Sequence, residues 1–361
     1  MNVVIAAGGT GGHLAPALAL AEEFRLQCPS VSITMIGTGK NLERMMLART
    51  DLHVETLPAR GVVGRRGWSA LAGMASVPKA LWKALHILRA SRTALVIGTG
   101  GYTSLPVILA GVALGIPRAV LEPNVMPGVA NRIAGPMVHR VFLAWEEASR
   151  YFPRNNVRVV GTPLRRAFTT AEICPTPDRV TTLLICGGSQ GAKALNTAVV
   201  EALTVSMGLS RTLRIIHQTG VEDYERIRSS YEQAHMEVTV VPFLQNMPEV
   251  LREADLVISR CGAVTLAELT ACGKPAILVP FPHATHQHQD RNARVLEQAG
   301  AAVVIPQDEQ TGSRLAQVLK MLVEDPDRVN RMVQRSWSLR RVDAAQTIVR
   351  ECRLLVGRRA V

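Results

Sequence analysis

Short runs of consecutive apolar residues alternate along the whole chain with longer stretches in which apolar positions recur every three or four residues. The short runs are the pattern of strands buried on both faces, and the longer stretches that of amphipathic helices. Strands are predicted at 3–7, 32–36, 95–97, 118–121 and 140–143 in the first half, and at 182–186, 214–218, 237–241, 256–258, 276–279 and 302–305 in the second. Helices are predicted at 16–27, 78–90, 196–204, 223–233, 264–271 and 288–298, and the Arg-rich segment from 307 onward reads as largely helical. Strands alternating with helices in this way predict an α/β architecture of parallel sheets with crossover helices. Gly161-Thr162-Pro163 and the proline-rich 174–178 read as the region between two domains.

Two predicted strands run into glycine-rich turns, Gly8-Gly9-Thr10-Gly11-Gly12-His13 and Gly187-Gly188-Ser189-Gln190-Gly191-Ala192, each leading into a helix. The same strand–turn–helix unit used twice predicts two Rossmann-like domains. Glycine lets the backbone come close to an anion, and the helix start aims unpaired N–H groups and a positive dipole end at it. The first turn is not a dinucleotide fingerprint. Its glycines do not match GxGxxG across 8–14, and Gly37-Thr38-Gly39 follows the second strand where an acid is needed. Gly39-Lys40 lacks the upstream glycine of a Walker A loop. His13 either caps the first helix or accepts a proton; a positive helix end disfavours imidazolium and keeps the ring neutral.

A third loop-to-helix turn, Ser259-Arg260-Cys261-Gly262-Ala263-Val264-Thr265-Leu266-Ala267-Glu268, follows the strand at 256–258. Glu268 either stabilises the start of its helix or accepts two hydrogen bonds from a ribose diol. Gln289 and Asn292, three residues apart, share one helix face and can meet sugar hydroxyls. His283, His286 and His288 lack further ligands at convincing spacing apart from Asp290, so no metal site is expected. Asp325-Pro326-Asp327 reads as a turn or helix start. Glu122 ends the strand at 118–121 in Glu122-Pro123-Asn124, where ligands bind in parallel sheets.

Composition sharpens the choice of partner. The 361 residues carry a formal charge of +12, which favours an anionic partner: nucleic acid, membrane surface or phosphorylated substrate. Aromatic residues make up only 4%, a poor supply for base stacking. The six cysteines, at 28, 174, 186, 261, 272 and 352, form no CxxC pair and read as reduced thiols. No signal peptide is expected, and the apolar stretch 102–116 falls short of the ~20 residues of a spanning helix. The segment 56–121 contains no Asp or Glu but eight cations: Arg60, Arg65, Arg66, Lys79, Lys83, Arg89, Arg92 and Arg118. Trp68, Leu71, Met74, Leu81, Trp82 and Leu85 are interleaved with them. It is either a core helix with a solvated basic face or a membrane-surface element.

Together and in order, the turns at 8–13 and 187–192, Gly100-Gly101-Tyr102-Thr103-Ser104, Glu122-Pro123-Asn124, Gly161-Thr162-Pro163-Leu164-Arg165, 259–268 and His288-Gln289 with Asn292-Ala293 are specific. Over essentially the whole chain they resemble the MurG family, peripheral membrane N-acetylglucosaminyltransferases of peptidoglycan synthesis. The resemblance implies a GT-B fold with two Rossmann-like domains facing a central cleft. It implies a domain at 1–161 that meets the acceptor and membrane, with a C-terminal helix at about 340–361 packed back on it, and a donor domain at 162–339. It implies inverting transfer of N-acetylglucosamine from UDP-N-acetylglucosamine to the C4 hydroxyl of an undecaprenyl-diphosphate-linked N-acetylmuramyl-pentapeptide. The place would be the cytoplasmic face of the bacterial plasma membrane, with no cofactor, no metal needed for the donor and no nucleic acid.

By the same resemblance, Ser189 and Arg165 hold the donor diphosphate and Leu244 offers backbone to uracil. Ala263, Val264, Thr265, Leu266 and Ala267 line the phosphate turn, Glu268 takes the ribose and Gln289 reads the sugar. Thr10, Gly11, Gly12 and Asn124 reach the reacting sugar, and Gly100, Gly101 and Tyr102 form the acceptor-diphosphate loop. His13 matches the proposed base, with Glu122 the second catalytic candidate. Two positions depart from the family pattern: Leu121 stands where His is usual, and Leu105 where Gly is usual. The nearest rivals are another GT-B enzyme, such as a glycolipid glycosyltransferase or a UDP-sugar 2-epimerase; an epimerase needs no acceptor and no basic apolar segment. A nucleic-acid-binding protein explains the charge but not three phosphate-type turns with Glu268.

Overall fold

The computed structural model describes residues 1–9, 11–48, 50–58, 68–170, 179–188 and 190–357, with backbone alone at 41, 42, 68–76, 209 and 210. Two compact units divide the chain: Met1–Arg165 with Val342–Val361, and Arg166–Arg341.

The first unit holds β1 (Asn2–Ala6), β2 (Ser32–Gly37), β3 (His53–Thr56), β4 (Leu95–Gly98), β5 (Arg118–Glu122), β6 (Arg140–Leu143) and β7 (Val157–Val159). They form one parallel sheet in the order β3-β2-β1-β4-β5-β6-β7. Alternate residues of β1 serve its two faces. Val3 and Ile5 pack with Leu14, Leu20 and Phe24 of helix Gly11–Gln27 and with Ile348 and Val349 of helix Ala344–Gly357. Val4 and Ala6 pack with Ala84 and Leu88 of helix Trp68–Ala90 and with Val107 and Ile108 of helix Ser104–Ala113. Helix Ala344–Gly357 thus belongs to the first unit, where Arg140 also meets Glu351 at 3.1 Å.

In the second unit, β8 (Thr182–Cys186), β9 (Arg214–Gln218), β10 (Val238–Val241), β11 (Leu256–Ser259), β12 (Ala276–Leu278) and β13 (Ala302–Val304) run parallel in the order β10-β9-β8-β11-β12-β13. Leu183 and Ile185 pack with Leu195 and Val199 of helix Lys193–Val205 and with Leu315 and Leu319 of helix Thr311–Glu324. In each unit the strand order reverses once, between β1 and β4 and between β8 and β11. Ligands of open parallel sheets bind beyond the carboxyl ends of the strands at such a point. The glycine turns leave β1 and β8 there.

Two strands were missed by the apolar pattern. β3 is an edge strand whose His53, Val54 and Thr56 are exposed, and β7, at the opposite edge, has three residues with Arg158 exposed at its centre. Helix Trp68–Ala90 begins ten residues before the predicted start and carries Pro78 inside it. The apolar stretch at 102–116 is accounted for by the buried helix Ser104–Ala113. Among the described residues no helix is long and apolar enough to cross a membrane. Asp325 caps helix Pro326–Ser338, its carboxylate accepting from Arg328 N–H at 2.9 Å.

Candidate functional site

In the first unit, the loops that follow β1, β2, β4 and β5 carry the candidate residues. His13 lies in the first turn of helix Gly11–Gln27, half-buried, and its carbonyl accepts from the Thr99 hydroxyl at 2.8 Å. A Cβ on Gly100 would stand 2.7 Å from His13 Cδ2 and 2.9 Å from Nε2, so the imidazole lies against bare backbone. Gly101 has φ +80°, and a Cβ there would overlap the Gly8 carbonyl oxygen. The loops after β1 and β4 therefore touch backbone to backbone, which only glycine at 101 allows. Ser104 ties the second loop down, accepting from Gly100 N–H at 3.0 Å and donating to the Gly100 carbonyl at 2.7 Å. Tyr102 is 42% exposed at the rim of this loop. Gly11 is half-buried and Gly12 exposed; Thr10 lies outside the described residues.

Glu43, which the sequence reading did not single out, sits among these loops. Its Oε1 accepts from Gly9 N–H at 2.8 Å and the Thr38 hydroxyl at 2.7 Å. Its Oε2 accepts from Thr38 N–H at 2.7 Å and Gly39 N–H at 2.8 Å. Burial alone would push this carboxyl up, but these donors outweigh it and hold it below the ordinary carboxylate value.

Glu122 is 2% exposed and faces its own loop. Oε1 accepts from the backbone and side-chain N–H of Asn124, both at 3.0 Å, and Oε2 accepts from Gly128 N–H at 2.9 Å and Asn131 Nδ2 at 3.0 Å. Burial pushes its carboxyl up from the ordinary value, against the pull of these donors. With N–H donors on both oxygens, the group is arranged to order the segment 122–131. Asn124 is half-buried, and its side-chain amide nitrogen donates to Glu122.

In the second unit, β8 and β11 deliver two turns side by side. Gly191, at φ +73°, has the Thr219 carbonyl oxygen where a Cβ would go, so the second glycine turn presses on the loop after β9. Ser189 lies outside the described residues. A buried network braces the turn from below: Asn196 Nδ2 donates to the Thr219 carbonyl at 2.9 Å and to Asp223 at 2.7 Å. Asn196 Oδ1 therefore accepts, so His217 Nε2, 3.1 Å away, carries the proton and Nδ1 accepts from the Tyr231 hydroxyl at 2.8 Å. Burial pushes the His217 imidazole down to about 3, so it stays neutral.

Helix Ala263–Ala271 opens at Gly262, with Ala263 and Leu266 buried and Val264, Thr265, Ala267 and Glu268 half-buried. Cys186, paired with Ser259 across the two strands, has its thiol pushed up to about 12 by burial and then by the nearby Glu268 charge. Glu268 thus lies close to the strand end that feeds the second glycine turn. Gln289 Oε1 accepts from Cys261 N–H at 3.3 Å and Phe281 N–H at 3.0 Å, leaving its amide N–H2 as the donor end. Asn292 is wholly buried and donates to the Cys261 carbonyl at 3.3 Å. The shared helix face holds, and on it both Gln289 and Asn292 meet the Cys261 backbone. Leu244 is half-buried in the loop after β10, and Arg165 is the exposed last residue of the first unit's main segment. His288 Nδ1 lies 2.7 Å from the Thr285 carbonyl, and His283 meets the Phe281 ring edge to face. Among the described residues, no group of three or more His, Cys, Asp or Glu is placed to hold a metal ion.

Residues 3–143 match the glycosyltransferase family 28 N-terminal domain and residues 182–348 the glycosyltransferase family 28 C-terminal domain. With the two parallel sheets, this defines a glycosyltransferase built of two Rossmann-like units. The chain is 39% identical over 355 residues to the UDP-N-acetylglucosamine--N-acetylmuramyl-(pentapeptide) pyrophosphoryl-undecaprenol N-acetylglucosamine transferase of Geobacter sulfurreducens, covering 97% of this chain and 98% of that one. A crystal structure of Acinetobacter baumannii MurG is similar at a TM-score of 0.78 and 28% identity, over 98% of this chain and 99% of that one. The chain belongs to this family of N-acetylglucosamine transferases. A UDP-GlcNAc 2-epimerase from Neisseria meningitidis bound to UDP-GlcNAc shares the fold alone, at a TM-score of 0.68 and 12% identity over 97% of this chain and 99% of that one.

Proposed function

We propose that the protein moves N-acetylglucosamine from UDP-N-acetylglucosamine to the C4 hydroxyl of a polyprenyl-diphosphate-linked N-acetylmuramyl-pentapeptide, inverting the anomeric centre and making lipid II. The observation that carries the reading is the near full-length likeness to a transferase of that name. The site chemistry supports it. In the second unit, helix starts behind the two turns supply N–H groups and positive dipole ends for the departing UDP. Glu268 accepts from the ribose, and the Gln289 amide donates to the sugar. Ser189 and Arg165 remain candidates for the diphosphate, and Leu244 for uracil. In the first unit, His13 removes the proton of the acceptor hydroxyl as it attacks the anomeric carbon. Glu122 orders the loop that presents Asn124, and we assign it this positioning role rather than that of base. Gly100, Gly101 and Tyr102 remain the candidate loop for the acceptor diphosphate. The decisive assay measures UDP release with and without a lipid I analogue. Release that depends on the analogue and yields a disaccharide product supports transfer. Interconversion of the donor sugar at C2 without an acceptor would replace it with epimerase chemistry.

The acceptor is anchored in a membrane, and the first unit offers a surface suited to one. On helix Trp68–Ala90, Ala80, Ala84, Ile87 and Leu88 are buried, while Lys79, Trp82, His86 and Arg89 lie on the opposite face. Trp82 is 70% exposed and stacks on His86. An exposed tryptophan among cations suits docking on the anionic cytoplasmic face of the plasma membrane. Arg60, Arg65 and Arg66 lie outside the described residues. Changing Lys79 and Trp82 together to Ser should weaken co-sedimentation with anionic vesicles. The Lys79 share, about 1 kcal/mol, should fade with salt and the Trp82 share should persist. Unchanged vesicle binding in the double variant would move the docking surface off this helix.

A further inference from the structure

The reaction assigned above depends on where the first glycine turn holds His13, and the structure shows what holds that turn. Gly8 and Gly9 leave β1, Gly37-Thr38-Gly39 leaves β2, and the two loops close around one carboxylate, that of Glu43. Glu43 is 3% exposed. A Cβ on Gly37 would stand 2.6 Å from its Oε2, so the loop is wrapped tightly on the carboxylate. Each oxygen receives two donors, and the donors come from Gly9, from Gly39 and twice from Thr38.

We propose that Glu43 is a positioning residue of the acceptor side, an internal anion that fixes the first glycine turn and through it His13. This rests on the transferase reading and deepens it. The linkage is short and continuous. Glu43 holds Gly9 N–H, the neighbouring Gly8 carbonyl rests against Gly101, and Gly100 rests against the His13 ring. Three loops are thereby locked together around the side chain assigned as base.

The chemistry of the clamp requires a carboxylate rather than any polar group. Three of its four partners are backbone N–H groups that can only donate, and they are spread over both oxygens, so the clamp needs an acceptor at each. A glutamine in the same place offers one oxygen and turns an N–H2 group toward at least one of those backbone N–H groups, leaving it unpaired. The clamp also changes the expectation for anion binding at this turn. Gly9 N–H is already taken, and a fixed negative charge stands beside it. Gly9 N–H is therefore closed to a ligand anion, which is consistent with the acceptor diphosphate going to the loop at Gly100, Gly101 and Tyr102.

Glu43→Gln and Glu43→Asp test this in the full-length enzyme, assayed well below the melting temperature of each variant. Glu43→Gln should lower kcat with the lipid I analogue by on the order of 10- to 100-fold, because small displacements of a reacting group cost that much. UDP affinity should stay within about twofold of wild type, since the donor turns belong to the other unit. Glu43→Asp keeps the charge and should recover part of the rate. A folded Glu43→Gln enzyme with wild-type kcat and acceptor KM would overturn the proposal and leave Glu43 a stabilising residue only. Loss of UDP affinity in parallel with kcat would overturn it as well, because the effect would not be confined to the acceptor side. If Glu43→Gln does not fold, Thr38→Val removes one donor from the clamp and should give the same split at smaller size; wild-type rates there count against the proposal. Wild-type protein that transfers nothing to the lipid analogue would defeat the transferase reading instead, whatever the variants do.

Discussion

His13→Ala should lower kcat by roughly 10²–10⁴, the usual worth of a positioned general base, while UDP binding stays near wild type. The geometry separates these two quantities. His13 stands in the first turn of helix Gly11–Gln27, against the bare backbone of Gly100, in the first unit. The turns assigned to the donor leave β8 and β11 in the second. Removing the ring leaves the proposed donor turns intact but removes the proposed base. The distinction is read from kcat at saturating substrates together with UDP titration by calorimetry. His13→Gln helps to divide chemistry from packing, since it fills part of the space without a basic nitrogen. If both variants turn over at near-normal kcat, His13 is not the base. Glu122 is then a weak successor, because both its oxygens are engaged by N–H donors of its own loop.

What could be read in advance follows from how strongly each segment is constrained. The central strands β1, β4, β5, β8 and β11 are buried on both faces, so their residues are nearly all apolar and the pattern is plain. β3 and β7 have a neighbour on one side only, and the exposed His53 and Arg158 erase the apolar run. Helix Ser104–Ala113 packs on the sheet beside helix Trp68–Ala90 and is buried along much of its length, so it shows an apolar stretch with little periodicity. The turns were legible because close backbone approach demands glycine, as at Gly101 and Gly191. Side-chain partners were not. Nothing near Glu43 in sequence says that it folds onto Gly9, 34 residues away. The i,i+3 spacing of Gln289 and Asn292 predicts a common face but not that this face grips the Cys261 peptide. Glu122 at a strand end reads as a catalytic candidate until its four donors are seen.

Glu268→Ala should weaken UDP binding by ~1–3 kcal/mol, about 5- to 150-fold, the cost of leaving buried polar partners unpaired. Glu268 lies on helix Ala263–Ala271, half-buried, and its charge is felt by the Cys186 thiol at the end of β8. That places a carboxylate beside two adjacent turns whose helix starts favour anions, an arrangement in which a second anion needs a reason. A vicinal diol supplies one. In the proposed complex, two hydroxyl donors from the ribose meet the carboxylate while the diphosphate goes to the N–H groups. The binding lost should be of the uniform kind, so donor KM rises while kcat at saturating donor stays close to wild type. Glu268→Gln keeps one acceptor and should fall between the two. Titration should be run with a chelator present, so that any metal contribution is kept out of the comparison. Deoxy-UDP analogues provide a cross-check: loss of the 2′- or 3′-hydroxyl should cost wild type affinity and cost Glu268→Ala little, because that variant has no carboxylate left to pair. Equal sensitivity to the missing hydroxyl in both proteins would take Glu268 out of the ribose site.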